Sequence, residues 1–474
     1  MKKPYQKYVT FSGRLLIVGF GSIGSGVLPL ILRHIAMPRK HISIITGDKR
    51  GAAIAKKEKI SFRIEPLTKK NFKKIIDASL GVGDFLLNLS VDVSSVDLIE
   101  HCQKRGILYL DTVVEPWAGG YADPTLSLSD KSNYGLREKI LALRNRTKRE
   151  TTAVSCHGAN PGIVSHFVKC ALLQIAKDTG HHTAVPGTKQ EWGMLMRDLG
   201  VKVVHIAEYD SQTAPAAKEV GRFENTWSVD GFYSEGINQP CEMGWGTHEK
   251  NFPADGRRHT HGSGAGIYLT RPGAATLVRT WTPEHGAFFG RAVTHNESIS
   301  IADYYSLRKG SKTVFRPTVH YAYRPCDVAL LSVEECLGNV SIQQKEQRIL
   351  MDEIDRGMDE LGVLLMGHKK GAYWYGSQLT IEQARRLAPY QNATGLQVTA
   401  GVLGGMIWAM EHPRAGIVEA DEMDFKRIME IITPYLGRMT GRYTNWTPLA
   451  NRKAREDSSA DFTDPWQFNN FRFF

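Results

Sequence analysis

Residues 15–26, Leu-Leu-Ile-Val-Gly-Phe-Gly-Ser-Ile-Gly-Ser-Gly, constrain the fold more than any other stretch of the chain. Four apolar residues of strand character run straight into Gly19-x-Gly21-x-x-Gly24, and an apolar helical pattern follows over residues 27–35. Strand, glycine turn and helix start in immediate succession are the context in which this spacing marks a dinucleotide site. Gly19 permits the tight turn, Gly21 lets the backbone approach a pyrophosphate, and Gly24 lets helix and strand pack closely. The first N–H groups of the helix and its positive dipole end then receive the phosphates. Gly19, Gly21, Ser22, Ile23 and Gly24 are therefore the expected core of a cofactor site.

The stretches after this turn alternate. Residues 41–46 read as a second strand, and Asp48 follows 24 positions past Gly24. An acid near that distance binds the adenosine ribose hydroxyls, which favours NAD over NADP. The adjacent Lys49 and Arg50 weigh the other way, and a turn aspartate beside Gly47 explains Asp48 as well. Residues 72–80 look helical, and 85–90 and 107–111 look like buried strands. The expectation is an α/β fold with a Rossmann-type doubly wound parallel sheet over residues 1–150. A basic, exposed-looking helix over 136–149 bridges to a different texture, with polar and aromatic strands at 201–209, 225–233 and 266–270. A second, mixed α+β catalytic domain is expected over 151–390. Residues 391–474 form a C-terminal helical segment whose glycine-rich apolar stretch, 394–410, packs back on the nucleotide domain or makes a homodimer interface. The aromatic tail from 461 packs on the chain itself or on a neighbour.

Composition narrows the function. The 474 residues, 42% hydrophobic and 23% charged, suffice for two or three domains with their own cores. The formal charge of +11 is dispersed in short mixed runs with no nucleic-acid-binding motif, so no nucleic-acid partner is expected. Six cysteines without a C-x-x-C pair read as reduced thiols of a cytoplasmic protein. No run of 18 apolar residues occurs, and the glycine turn occupies the position a signal peptide would need to be apolar. No membrane partner is expected. His259-x-His261, His181-His182 and His320 lack the cysteine or carboxylate spacing of a metal site, so no metal is expected.

Several residues can carry chemistry. Asn88-Leu-Ser-Val-Asp92 and Asp111-Thr-Val-Val-Glu115-Pro-Trp117 end two strands of the first domain, where such sheets bind ligands. Helix capping and solvated loops also use Asp92 and Glu115 in this way. Asn160, in Gly158-Ala-Asn-Pro-Gly162, is turn chemistry that also suits a hydrogen bond to substrate or nicotinamide. Downstream, Glu208, Asp210, Trp227, Glu235 and His295 make a set suited to a cation: carboxylates for an ammonium, and an indole face adding roughly 0.5–2 kcal/mol. His295 titrates near neutrality in its ordinary state.

The segments Leu15–Gly24, Asn88–Asp92, Asp111–Trp117, Gly158–Gly162, Ala207–Asp210, Asn225-Thr-Trp-Ser228, Thr294-His-Asn-Glu297 and Asp359-Glu-Leu-Gly-Val-Leu-Leu365 together resemble the bacterial homospermidine synthases, of the saccharopine dehydrogenase-like group. The resemblance runs through nearly the whole chain. It implies an aminobutyl transfer joining two putrescines (or putrescine and spermidine) with release of ammonia (or 1,3-diaminopropane), through imines and a hydride recycled by NAD. It implies catalytic roles for Glu208, His295, Trp227 and Asn160, with either His295 or Glu208 as general base. Asp92, Glu115, Glu235 and Asp359 are implied in diamine binding, and Asp48, Ser90 and Asn160 join the glycines in holding NAD. Two other readings stand beside it: a saccharopine dehydrogenase-like amino-acid oxidoreductase, and a non-catalytic NAD-binding sensor.

Overall fold

The computed structural model describes residues 5–144, 151–181, 184–453 and 460–473. The chain divides into two compact units, Met1–Ile163 with Ile381–Leu436, and Val164–Thr380 with Gly437–Phe474.

The first unit is built on a seven-stranded sheet. Its strands are β1 (Leu15–Val18), β2 (Ile42–Thr46), β3 (Ser61–Ile64), β4 (Phe85–Asn88), β5 (Leu108–Asp111), β6 (Ala153–Ser155) and a last strand, Ile417–Glu419. They lie in the order Ile417–Glu419, β6, β5, β4, β1, β2, β3. Every pairing is parallel. The unbroken apolar runs have the burial that a sheet covered on both faces requires: all four residues of β1 are buried. The order reverses between β1 and β4, the switch point at which such sheets bind dinucleotides.

The boundaries differ from the expected 1–150, 151–390 and 391–474. Residues 151–163 and 381–436 join the first unit, because β6 pairs with β5 and Ile417–Glu419 pairs with β6. The helix α1 (Ser22–His34) packs against α2 (Ala393–Glu411), which is buried along most of its length. Glycine also lets α2 approach the loop after β6: a Cβ at Gly401 would lie 2.0 Å from the Gly158 carbonyl oxygen. The 19-residue α2 is long and apolar enough to cross a membrane by composition, and 83% of its apolar 18-residue window is buried inside the protein. It lies within the first unit, whereas residues 437–474 of the same expected segment belong to the second.

Two other expectations change. The helix expected over 136–149 spans Asn133–Leu143 and is largely buried, with Arg137 donating from Nε (2.6 Å) and Nη2 (2.7 Å) to the two Glu419 carboxylate oxygens. Residues 145–149 of that expected helix, and His182, lie outside the described residues. The strand expected over 225–233 ends at Asn225; Ser228 then caps a helix, Val229–Tyr233, its side chain accepting from the Gly231 N–H. A serine cap competes with strand continuation even in a β-rich context.

The second unit holds an eleven-stranded mixed sheet. Its central strand β7 (Val203–Asp210) pairs in parallel with β8 (Thr318–Arg324) and antiparallel with β9 (Met358–His368). The aromatic tail closes this unit on itself: Phe468 and Phe471 are buried in its core, and Arg472–Phe473 pairs with Leu277–Val278.

Burial favours the neutral ring at several histidines. Burial lowers His157, His320 and His368 to about 4 and His205 well below its usual value. A folded-state value below the unfolded one means that their stabilisation is complete above about pH 6.5 and is lost as pH falls toward 4. The melting temperature is expected to drop steadily through that window in a scan of pH; a flat profile between 6.5 and 4 contradicts the assignment.

Candidate active site

In the first unit, the glycine turn has the form a pyrophosphate needs. Gly19 adopts φ +84°, and a Cβ there would sit 2.8 Å from the Leu89 carbonyl and the Ser90 nitrogen. Nothing lies within 4 Å of a Cβ at Gly21, leaving open space beside the turn. Gly21 is the N-cap of α1 and supplies no side-chain cap, so the leading N–H groups of that helix are not consumed by one. Ser22, Ile23 and Gly24 form the first turn. These features fit a dinucleotide.

The C-terminal ends of β4, β5 and β6 are tied by a chain of side-chain hydrogen bonds. Ser90 Oγ donates to Asn88 Oδ1 (2.6 Å), Asn88 Nδ2 to the Tyr109 hydroxyl (3.4 Å), and that hydroxyl to Asp111 Oδ2 (2.8 Å). Asp111 Oδ1 accepts from the Cys156 N–H (2.7 Å), holding Cys156 at φ +61°. Burial raises the Asp111 carboxyl to about 6. Asp111 thereby fixes the start of the loop that carries Asn160, and none of the sequence signals had singled it out for that. Asn160 is partly buried, Glu115 is buried at 1% exposure, and Asp92 is exposed at φ +60°. Asp48 lies just past β2, its carboxylate accepting from the Arg50 N–H and Nε, both at 2.7 Å. The Arg50 hydrogen bonds hold Asp48 below the usual carboxylate range.

In the second unit, period-two alternation along β7 puts Glu208 and Asp210 on one face. Register adds Tyr323, which pairs with Glu208, and Asp359, which pairs with Asp210. Tyr321, two residues before Tyr323, shares the face; the two rings are stacked at 5.2 Å and 9°. The Tyr321 hydroxyl donates to Glu208 Oε2. The Tyr323 hydroxyl accepts from Trp227 Nε1 at 3.1 Å. Asp210 Oδ2 accepts from Thr226 Oγ1 at 2.6 Å, anchoring the residue before Trp227.

His295 completes the group. Its Nε2 lies 3.1 Å from Glu235 Oε2, its Nδ1 lies 3.2 Å from Glu297 Oε1, and its ring is 4.4 Å from that of Tyr321. Burial lowers the proton affinity of the ring, but Glu297 and Glu235 outweigh it and raise the value to about 10. Glu235 is carried on an irregular turn, Ser234–Asn238, wound more widely than an α-helix, a form frequent at functional sites. Glu208, Asp210, Glu235, Glu297 and Asp359 are all nearly inaccessible, whereas Trp227 is half-buried.

The second unit thus brings together Glu208, Trp227, Glu235, His295 and Asp359. Sequence reasoning missed Tyr321 and Tyr323; a Tyr-x-Tyr pair on a strand was the available signal. His295 is expected to stay an imidazolium through neutral pH. Since its folded value is raised, the stability it contributes is complete below about pH 6.5 and is lost as pH rises toward 10. NMR titration should show the His295 ring losing its proton well above pH 8, and at least about one unit lower in Glu297→Gln; titration near 6.5 in the wild type contradicts the assignment.

Comparison with known proteins bears on both units. The family model of the saccharopine dehydrogenase NADP binding domain matches residues 15–154, and that of the saccharopine dehydrogenase C-terminal domain matches residues 158–444. The homospermidine synthase of Blastochloris viridis is 52% identical over 468 residues, covering 98% of each chain. That of Mesorhizobium japonicum is 49% identical over 470 residues, covering 98% of this chain and 97% of its own. The crystal structure of the homospermidine synthase from Legionella pneumophila in complex with NAD matches with a TM-score of 0.91 at 44% identity, covering 98% of both chains.

Proposed function

The chain belongs to the homospermidine synthase family, within the saccharopine dehydrogenase group, and on that premise we propose that it joins two putrescines into homospermidine with release of ammonia. It is an NAD-dependent enzyme. The observation that carries the substrate assignment is the carboxyl-rich, almost inaccessible face of β7 set beside a half-buried indole.

Putrescine is a dication in water, and a protein of net charge +11 repels it overall. A locally acidic site overcomes that repulsion, and Glu208, Glu235, Glu297 and Asp359 supply one. One ammonium must shed a proton before a hydride can leave its carbon. Lowering an ammonium pKa from about 10.4 to near 7 costs roughly 4–5 kcal/mol, so a base shares the work. His295, already protonated at neutral pH, does not accept it; Glu208 takes the role of base. His295 instead neutralises part of the acidic cluster and fixes Glu235 and Glu297. The Trp227 face holds a cationic centre without offering a proton acceptor, so the charge stays on the substrate. In the first unit, Gly19–Gly24 hold the pyrophosphate and Asp48 the ribose, with Ser90 and Asn160 completing the cofactor contacts. Bound NAD supplies the hydride acceptor for the first step and the donor for the last.

The carbon that loses hydride becomes an imine. The second diamine's amine adds to that carbon, ammonia leaves from the resulting geminal diamine to give a new imine, and hydride return gives the secondary amine. Two diamines yield one triamine and one ammonia with no net oxidation. Asp92 and Glu115 are the acids of the first unit assigned to diamine recognition. None of the six cysteines forms a disulfide, which supports a reducing compartment, the cytoplasm.

The protein incubated with putrescine and a catalytic amount of NAD should give homospermidine and ammonia without lasting NADH absorbance. Stoichiometric NADH identifies an oxidoreductase instead, and no product identifies a binding protein. Trp227→Ala should lower kcat by at least about tenfold with NAD affinity unchanged; full activity overturns the role given to the indole.

A further inference from the structure

Two phenols of the second unit lie between the groups just assigned and have no part in that chemistry. Tyr321 and Tyr323 stand two apart on β8, both nearly fully buried, with rings stacked at 5.2 Å. One is bonded to Glu208 and the other to Trp227. The indole has few other constraints. A Cβ at Gly231 would meet Trp227 Cζ3 at 3.1 Å, a tight contact that a side chain there would press against the ring, and the Phe232 ring lies 5.6 Å away.

We propose that Tyr321 and Tyr323 form a positioning bridge that fixes the Trp227 indole and the Glu208 carboxylate relative to each other, so that the ring holding the cation and the base act on one bound diamine. The inference rests on the roles given to Trp227 and Glu208 above. The Tyr323 oxygen orients the indole by accepting its only N–H, and that hydrogen bond polarises the ring toward greater electron density on its face, where a cation binds. The Tyr321 hydroxyl donates to Glu208, fixing one carboxylate oxygen and stabilising its charged form. The stack couples the two: moving either ring displaces its partner. The packing contribution of each residue resides in its ring, which phenylalanine keeps; the positioning resides in the hydroxyl, which phenylalanine lacks.

A double-mutant cycle separates the two contributions. Tyr323→Phe is expected to lower kcat/KM for putrescine about tenfold, the equivalent of one net hydrogen bond, with NAD affinity preserved and the melting temperature lowered by no more than about a few degrees. In a Trp227→Phe background, which has no N–H to bind, the same substitution should change kcat/KM by less than about twofold. An equal loss in both backgrounds, or no loss in the wild-type background, overturns the bridge. Tyr321→Phe should move the acid limb of the kcat/KM profile to higher pH, because the charged base loses its donor; an unmoved limb overturns that half. In the wild type itself, NMR should find the Trp227 indole N–H protected from exchange, and rapid exchange contradicts the Tyr323 contact. A wild-type protein that makes no homospermidine refutes the function proposed above and is read before any variant.

Discussion

Carboxyl groups on one buried face are the constraint around which the second unit is organised. Glu208 and Asp210 on β7, Asp359 on β9, and Glu235 and Glu297 beside His295 are each almost inaccessible. Removing an ionised carboxylate from water costs on the order of several kcal/mol unless something compensates. The protein compensates selectively. Thr226 and Gln212 satisfy Asp210, Tyr321 serves Glu208, and one imidazolium serves Glu235 and Glu297. These internal donors leave the cluster acidic overall, the condition under which a diammonium ligand is drawn in. Asp210 shows the balance: burial pushes its carboxyl up, and its hydrogen bonds from Thr226 and Gln212 pull it back.

The first unit solves a different problem, close approach. Its glycines stand where backbone must meet backbone: Gly19 against the Leu89–Ser90 segment, and Gly401 against Gly158. One contact shapes the glycine turn, the other seats α2 against the loop that carries Asn160. Asp111 works at the same strand ends by holding Cys156 in a left-handed conformation uncommon for a residue with a side chain.

Much of this was legible in the residues. The parallel sheet followed from alternation and from the glycine turn, because both are local signals. The acids and Trp227 could be named because charge and aromaticity in a β-rich context suit a cation whatever the topology. Three things were not legible. The division of the C-terminal region between the units depends on Ile417–Glu419 pairing with β6, a contact across more than two hundred residues. The raised proton affinity of His295 depends on Glu297 and also on Glu235, sixty residues away in the chain, lying at ion-pair distance. The helix at Val229–Tyr233 turns on a single serine cap within a stretch whose composition reads as strand. Each is a case in which tertiary contact or one local hydrogen bond outweighs periodicity.

The central claim is that the hydride taken from one diamine is returned to the same carbon. Putrescine deuterated at both amino-bearing carbons tests it most directly, with catalytic NAD and mass analysis of the triamine. Full retention of deuterium at every carbon bound to nitrogen in homospermidine is the predicted result. Loss of one deuterium per product, or accumulation of reduced cofactor matching product formed, contradicts it.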